Sequence, residues 1–421
     1  MTKQKTLAIL LTAIMIFVGA SAASAATTIT AWFGNYHAGF EAMVEKFNQE
    51  HTDIKIEVDF IPFSDYAQKV IGSARTNQLP DLLMLQPKQP ASYGLLGYLQ
   101  PMNDVVRDLQ GQYSFSEQDL YYNTTDGNLW GVPWHVVPHL LYYRTDWFEE
   151  AGIEGAPTTW DEFALYAKKL TTKDRYGYVS LLADKSVGHT VHTWMAARGA
   201  ETLGRDLEVI IDSPETRETL DFLANLYKDG YMYPGSVTYD MGKSRLFFVN
   251  GGAAMLNSSA SFADNLAKTE LSKDIGMVEI PKNGGTKNYY AFHSIAISKD
   301  CKDLDAAKEV ISWMYKPENY DIYFLKGFLG NMPAERNYVA SGRYWQLPNV
   351  APFRHFLEPA MKVAQNGWFP CMAHGVNQYA ALFDAQNIYQ DMVLKCMVGG
   401  ETTEQAASWA QQQMEDILKR K

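Results

Sequence analysis

The chain of 421 residues predicts an α/β fold divided between two lobes. Three features carry that expectation. Residues 28–85 alternate strand and helix patterns in the order βαβαβ, which implies a parallel sheet with right-handed crossovers. A second series of strand and helix patterns follows from Leu140 onward. The whole is longer than one hydrophobic core usually serves.

Thr28 to Phe33 alternates and reads as the first strand. Gly34 to Gly39 reads as a loop, and Phe40, Met43, Val44 and Phe47 then share one face of a helix. Ile54, Ile56, Val58 and Phe60 alternate with polar residues, a second strand. Ser64 is the expected cap of a helix carrying Tyr66, Val70, Ile71 and Ala74 inward. Pro80-Asp81 precedes Leu82-Leu83-Met84-Leu85, a fully buried strand. Leu140 to Tyr143 reads as another. Asp146 is the expected cap of a short helix stopped by Gly152. Thr158 or Thr159 caps the next, with acids in its first turn. Ser213 to Asp229 and Asp305 to Tyr315 read as helices, and Thr402-x-x-Gln405 is a capping box before the last one.

The N-terminus has the three parts of a cleavable secretory signal: basic Lys3 and Lys5, an apolar stretch from Leu7 to Val18, and small residues at Ala23 and Ala25. The stretch is shorter than the roughly 20 apolar residues of a membrane span. Cleavage near Ala25 leaves 396 residues, and no Cys near that site suggests a lipid anchor. A periplasmic protein without membrane insertion is expected. The formal charge is −11, and loss of the two signal lysines makes it −13. An acidic chain without a basic run excludes nucleic acid and anionic membrane as expected partners. Cys301, Cys371 and Cys396 permit at most one bridge, for instance Cys371 with Cys396; three buried thiols are the other reading.

Residues 126–163 contain G-x-L-x-G-V-P, then L-Y-Y-x-x-D-x-F-x-x-A-G-I, then P-x-T-W-D-E-F. This order resembles the crossover region of the extracellular solute-binding proteins of sugar ABC importers. Pro80-Asp81 before the third strand, F-x-x-G-x-A-A-M at 248–255, Lys316-Pro317-Glu318-Asn319 and Met332-Pro333-Ala334 extend the resemblance from about residue 27 to the C-terminus. It implies a two-lobed periplasmic-binding-protein fold of type II, with a hinge of several strands and about three crossings. The implied division is 26–137 plus 292–343 for the first lobe and 138–291 plus 344–421 for the second. It also implies a monomer, with permease subunits of an ABC importer as partners.

Ligands of parallel sheets sit beyond the carboxyl ends of the strands, here Trp32 to His37 and Gln86 to Gln89. A sugar needs flat aromatic surfaces and hydrogen-bonding side chains. The expected contacts are Trp32, Asn35 and His37; Gln86 and Lys88; Trp134, His135, Tyr239 and His293; Asn257, Ser259 and Phe262; and Trp368. Trp134 is the leading stacking candidate of the first half; for Trp32 the alternative is core packing. The serine run 257–261 stands where the family often has a stacking turn. It forms a polar cradle that suits a phosphate too, as in glycerol-phosphate-binding relatives, and it competes with ordinary helix capping. The segment 368–375 carries no Arg, the usual reader of phosphate. Val137 departs from the acidic or polar contact that maltose-binding relatives have nearby.

His189-x-x-His192 and His135-x-x-x-His139 have ligand-like spacing, but Pro138 interrupts the second and no HExxH, paired CxxC or phosphate loop accompanies either. No metal or cofactor is expected. No GxSxG elbow is present, and no acid pair falls in the cleft segments. The expectation is reversible sugar binding without catalysis. The alternatives are a binding protein for glycerol phosphate or another anionic solute, and a secreted carbohydrate-active enzyme.

Overall fold

The structure is a computed structural model that describes residues 26–34, 38–183, 189–365 and 367–419. The signal segment and the candidates Asn35 and His37 lie outside the described residues, as do the side chains of Ser64 and His189.

Twelve strands form among the described residues: β1 Thr27–Gly34, β2 Ile54–Ile61, β3 Leu82–Leu85, β4 Thr124–Thr125, β5 Asn128–Leu129, β6 Val132–Arg144, β7 Tyr176–Val179, β8 Ala253–Ser259, β9 Ile275–Val278, β10 Asn288–Ile297, β11 Met332–Pro333 and β12 Gly367–Trp368. β4 and β5 make a separate hairpin. The other ten share one sheet, ordered β2-β1-β3-β10-β6-β8-β7, with β9 and β11 also on β6 and β12 on β10. The βαβαβ unit is present: β1 pairs in parallel with β2 and with β3.

β6 is much longer than the apolar run predicted, and its length organises the molecule. Its first half, to Pro138, pairs with β10; from His139 onward it pairs with β8, and from Leu141 with β9. β10 in turn joins β3 through Ser294 to Ile297. Two strands thus carry the chain from one half of the sheet to the other.

Apolar burial falls into two clusters. The larger gathers β1, β3 and the helices Ala38–Glu50, Phe63–Arg75 and Leu304–Met314, then runs under the crossing strands to one face of the far half, where Tyr142, Leu256 and Phe356 join it. The second takes the opposite face: Leu141, Phe163, Tyr178, Trp194, Met255, Tyr389 and Met414. Alternation along β6 and β8 puts Leu141 and Met255 on one side and Tyr142 and Leu256 on the other.

Local signals held at most helix ends. Thr159 accepts from the Glu162 amide while Glu162 reaches back, a complete capping box. Thr402 and Gln405 do the same. Two caps moved. The second helix is capped at Pro62, with Ser64 inside its first turn, because proline's fixed φ suits the entry to a helix. The short helix Thr145–Glu150 is capped at Arg144, and Asp146 sits in its first turn, bonded by the Arg144 guanidinium. Cys301, Cys371 and Cys396 are all free. Among the described residues no helix is long and apolar enough to cross a membrane.

Candidate ligand-binding cleft

The crossing strands bring several sequence candidates into one belt. His135 of β6 faces His293 of β10 in register, and their rings stack at 4.5 Å. The hydroxyl of Tyr323 lies 2.9 Å from His135 Nδ1 and stays close to the Asn331 amide. Four residues further along β6, His139 is paired with Ser259 of β8, and its ring meets the edge of Tyr289 at 5.0 Å. Tyr289 also lies 5.4 Å from His192. Trp368, in β12, is paired beside Tyr289 and is almost wholly buried. Gly367 allows this approach, because a Cβ there would stand 1.2 Å from the Tyr290 ring. That ring cannot swing aside easily: the Tyr290 hydroxyl donates to Asp119 Oδ1 at 2.7 Å.

Beside the belt the serine run forms a cradle, though not in the way capping would require. Ser259 stands at the start of the 3-10 turn Ala260–Phe262 without bonding an amide there. Instead Arg245 donates Nε to Ser258 Oγ at 3.0 Å and a terminal nitrogen to Ser259 Oγ at 2.8 Å and Ser261 Oγ at 3.4 Å. Its guanidinium also lies 5.1 Å from the Phe262 ring centre. Phe262 is buried against Tyr142 and Phe248. Arg245 was missed in the sequence because it lies 14 residues before Ser259, on the helix Met241–Val249. Only the antiparallel return of chain from that helix through β8 brings the two together.

Lys88 and Gln86 occupy the loop after β3. Gln86 is half-buried, and its amide donates to Gln89 Oε1 at 2.8 Å. Lys88 takes a left-handed conformation, φ 74°, which costs roughly 1–3 kcal/mol for a non-glycine residue. Its ammonium is 1 % exposed and bonds Asp384 of the helix Tyr379–Ala385. Asp384, Cys371 and His192 gave no sequence signal as a group. Burial alone would lower the Lys88 pKa, but the Asp384 charge beside it raises it instead. Burial pushes the Asp384 carboxyl up, against the pull of Lys88. It pushes the Cys371 thiol up as well.

Four expected contacts are placed elsewhere. Trp134 is fully buried in the larger cluster, ringed by Phe40 at 5.5 Å, Tyr315 at 5.1 Å, Tyr320 at 4.6 Å and Tyr323 at 5.2 Å. Its neighbour His135 takes the cleft side because successive strand residues face opposite ways. Trp32 lies under Lys69, whose ammonium is 4.2 Å from the ring centre. It lines a surface depression of about 290 Å³ walled by β1, β2 and residues 78–80, with no residue from the far half of the sheet. Asn257 accepts from the Tyr178 hydroxyl, inside the second cluster. Tyr239 packs on Tyr233 and Phe247 at 5.2 and 5.9 Å, away from the belt. Among the described residues no group of three His, Cys, Asp or Glu side chains is arranged to hold a metal ion.

Comparison with known proteins fits this architecture. The chain is 25% identical over 291 residues to the sn-glycerol-3-phosphate-binding periplasmic protein of Agrobacterium fabrum, an alignment spanning 65% of this chain and 66% of the relative. The fold resembles that of a maltose-bound MalE3 of Thermotoga maritima, with a TM-score of 0.78, 21% identity, and coverage of 93% of this chain and 100% of that one. It also resembles the sugar-binding protein MalE of Xanthomonas citri, with a TM-score of 0.76, 22% identity, and coverage of 94% and 98%. The family model for bacterial extracellular solute-binding protein matches residues 33–321, more than half of the chain, and the protein belongs to that family.

Proposed function

We propose that this protein is the sugar-capturing component of an ABC importer, holding a mono- or oligosaccharide between its lobes and passing it unchanged to permease subunits in the membrane. The observation that carries this reading is the sharing of β6 and β10 between both halves of the sheet. Halves joined by strand crossings can rotate as bodies, so a guest caught between them completes its contacts on closure. The belt offers the chemistry a sugar needs. His135, His293 and Ser259 supply donors and acceptors, and Trp368 and Tyr289 supply apolar ring surface. The lobes assigned are 26–137 with 292–343 and 138–291 with 344–421. The mature protein is a periplasmic monomer released from its signal near Ala25.

A second reading has a specific observation behind it. Arg245 held among three serine hydroxyls is a cradle that would read a phosphoryl group, and the Agrobacterium relative is named for glycerol phosphate. One experiment separates the two. Purified protein is denatured, the released small molecule is identified by mass spectrometry, and refolded protein is titrated with neutral oligosaccharides and with sn-glycerol 3-phosphate. The proposal expects a neutral sugar at one equivalent, recovered intact after long incubation. Binding of the phosphate alone would replace it with the second reading, and a cleaved sugar would make the protein an enzyme.

A further inference from the structure

The pair Lys88–Asp384 joins the two halves of the molecule. Lys88 belongs to the loop after β3, in the larger cluster's half. Asp384 lies on the helix Tyr379–Ala385, whose Tyr379 and Phe383 belong to the second cluster and whose Ala380 reaches the larger one. Both charged side chains are buried, Lys88 nearly completely. Phe369 is 5.9 Å from the ammonium, and His192 Nε2 is 3.9 Å from Asp384 Oδ1. A second polar link joins the same segments: Ser92 Oγ, on the helix Gln89–Leu95 that Lys88 precedes, donates to the Gln378 carbonyl at 3.5 Å.

We propose that Lys88 and Asp384 form an interlobe latch, a charge pair made only when the lobes close, which sets the closed population of the protein before any ligand arrives. When the lobes part, both groups return to water, where an ion pair contributes little. When they meet, each charge is desolvated and depends on the other. Losing one partner then penalises the closed form specifically, since it strands a buried charge. Asp384 Oδ1 accepts no hydrogen bond among the described residues, so the pair is incompletely satisfied. That keeps closure reversible, because a fully bonded buried network would hold the lobes shut. The left-handed backbone at Lys88 aims the side chain across the gap and is the local cost of doing so.

The inference rests on the two-lobed reading and not on the identity of the ligand, so it is tested on ligand-free protein. Nitroxides are placed at Glu57→Cys and Leu165→Cys, both exposed and in different halves, with Cys301→Ser removing the half-buried native thiol. Pulsed electron resonance then reads the distance distribution. Lys88→Met and Asp384→Asn are each expected to lower the closed-to-open ratio at least tenfold. The urea midpoint should stay near that of the parent, because the open form does not use the pair. The reversed pair Lys88→Asp/Asp384→Lys should regain most of the closed population. Unchanged distances in both single variants would overturn the latch. So would a loss of global stability without a change in distance, or a reversed pair that folds and stays open. Failure of the sugar titration leaves this test untouched.

Discussion

Replacing Trp134 by Ala should damage the fold and spare the ligand. The indole is fully buried and touches four aromatic rings of the larger cluster. A buried tryptophan removes about 200 Å² from water. At about 25 cal/mol per Å² this is worth about 5 kcal/mol. Alanine keeps a little of that area, while the vacated space cannot fill, because Tyr315 and Tyr320 are fixed by hydrogen bonds to the carbonyls of Pro133 and Trp134. A loss of about 4 kcal/mol is expected, inside the usual range for Trp→Ala in cores. Urea unfolding followed by circular dichroism and by fluorescence measures it, and titration of the folded variant with the ligand recovered from the native protein measures affinity. Affinity should stay within about threefold of the parent, since the ring has no free face. A variant with parental urea midpoint and at least tenfold weaker binding would refute this placement and return the indole to the cleft wall.

Three further outcomes follow from the site and its surroundings. Arg245→Met frees the hydroxyls of Ser258, Ser259 and Ser261, so sugar affinity by calorimetry should fall about tenfold, the worth of roughly one or two hydrogen bonds; an affinity that also depends steeply on salt would point to an anionic ligand. Gly367→Ala drives a Cβ into the Tyr290 ring, and a melting temperature lowered by about 2–4 °C is expected from a clash of about 2–3 kcal/mol in a chain of this length; an unchanged melt would mean β12 does not hold its place on β10. Burial lowers the Lys282 ammonium to about 8, although Glu279 pulls the other way. Its unfolded value is near 10.4, so the folded state pays for the charge fully below pH 8 and is relieved as pH rises toward 10.4. The stability of Lys282→Gln relative to the parent should therefore rise as pH falls from 10 to 7, by about 3 kcal/mol at most, on top of a pH-independent loss of the bonds that the ammonium donates to the Lys287 carbonyl and to Asn288; thermal melts across that range check the sign.

The sequence exposed what depends on near neighbours. The βαβαβ unit, the capping box at Thr159 and the buried strand Leu82–Leu85 are local patterns, and each appears where the pattern put it. The belt was legible only in part: His135, Ser259 and His293 were named as contacts from the resemblance, while the length of β6 that carries His135 exceeds the apolar run Leu140 to Tyr143. What escaped depends on contacts between distant segments. Lys88 and Asp384 are separated by 296 residues, and nothing local about either marks the other. Trp134 shows a different limit. Strand alternation says that Trp134 and His135 face opposite ways, but not which side is the cleft. That choice is made by Tyr315 and Tyr320, which close over the side on which Trp134 lies.

The same two strands that join the halves also contain the features that let them bend. On β6 the change of partner falls between Pro138, opposite Tyr290 of β10, and His139, opposite Ser259 of β8. Proline has no N–H to offer a ladder, so flexing there sacrifices no donor. On β10 the register slips between His293 and Ser294, and a bulge of this kind bends its strand and interrupts pairing. The β10 irregularity lies beside His293 and the β6 change of partner beside His139, so flexing about them shifts belt residues while leaving the ladders of β1 with β3 and of β6 with β8 whole. Motion is thereby confined to the place where the candidate contacts lie. Opening costs the Lys88–Asp384 pair together with whatever apolar contact the larger cluster makes across the crossing, since Trp134 and Tyr142 share that cluster. A cycle of capture and release needs a cost of this modest kind, because lobes that never parted could not free their guest.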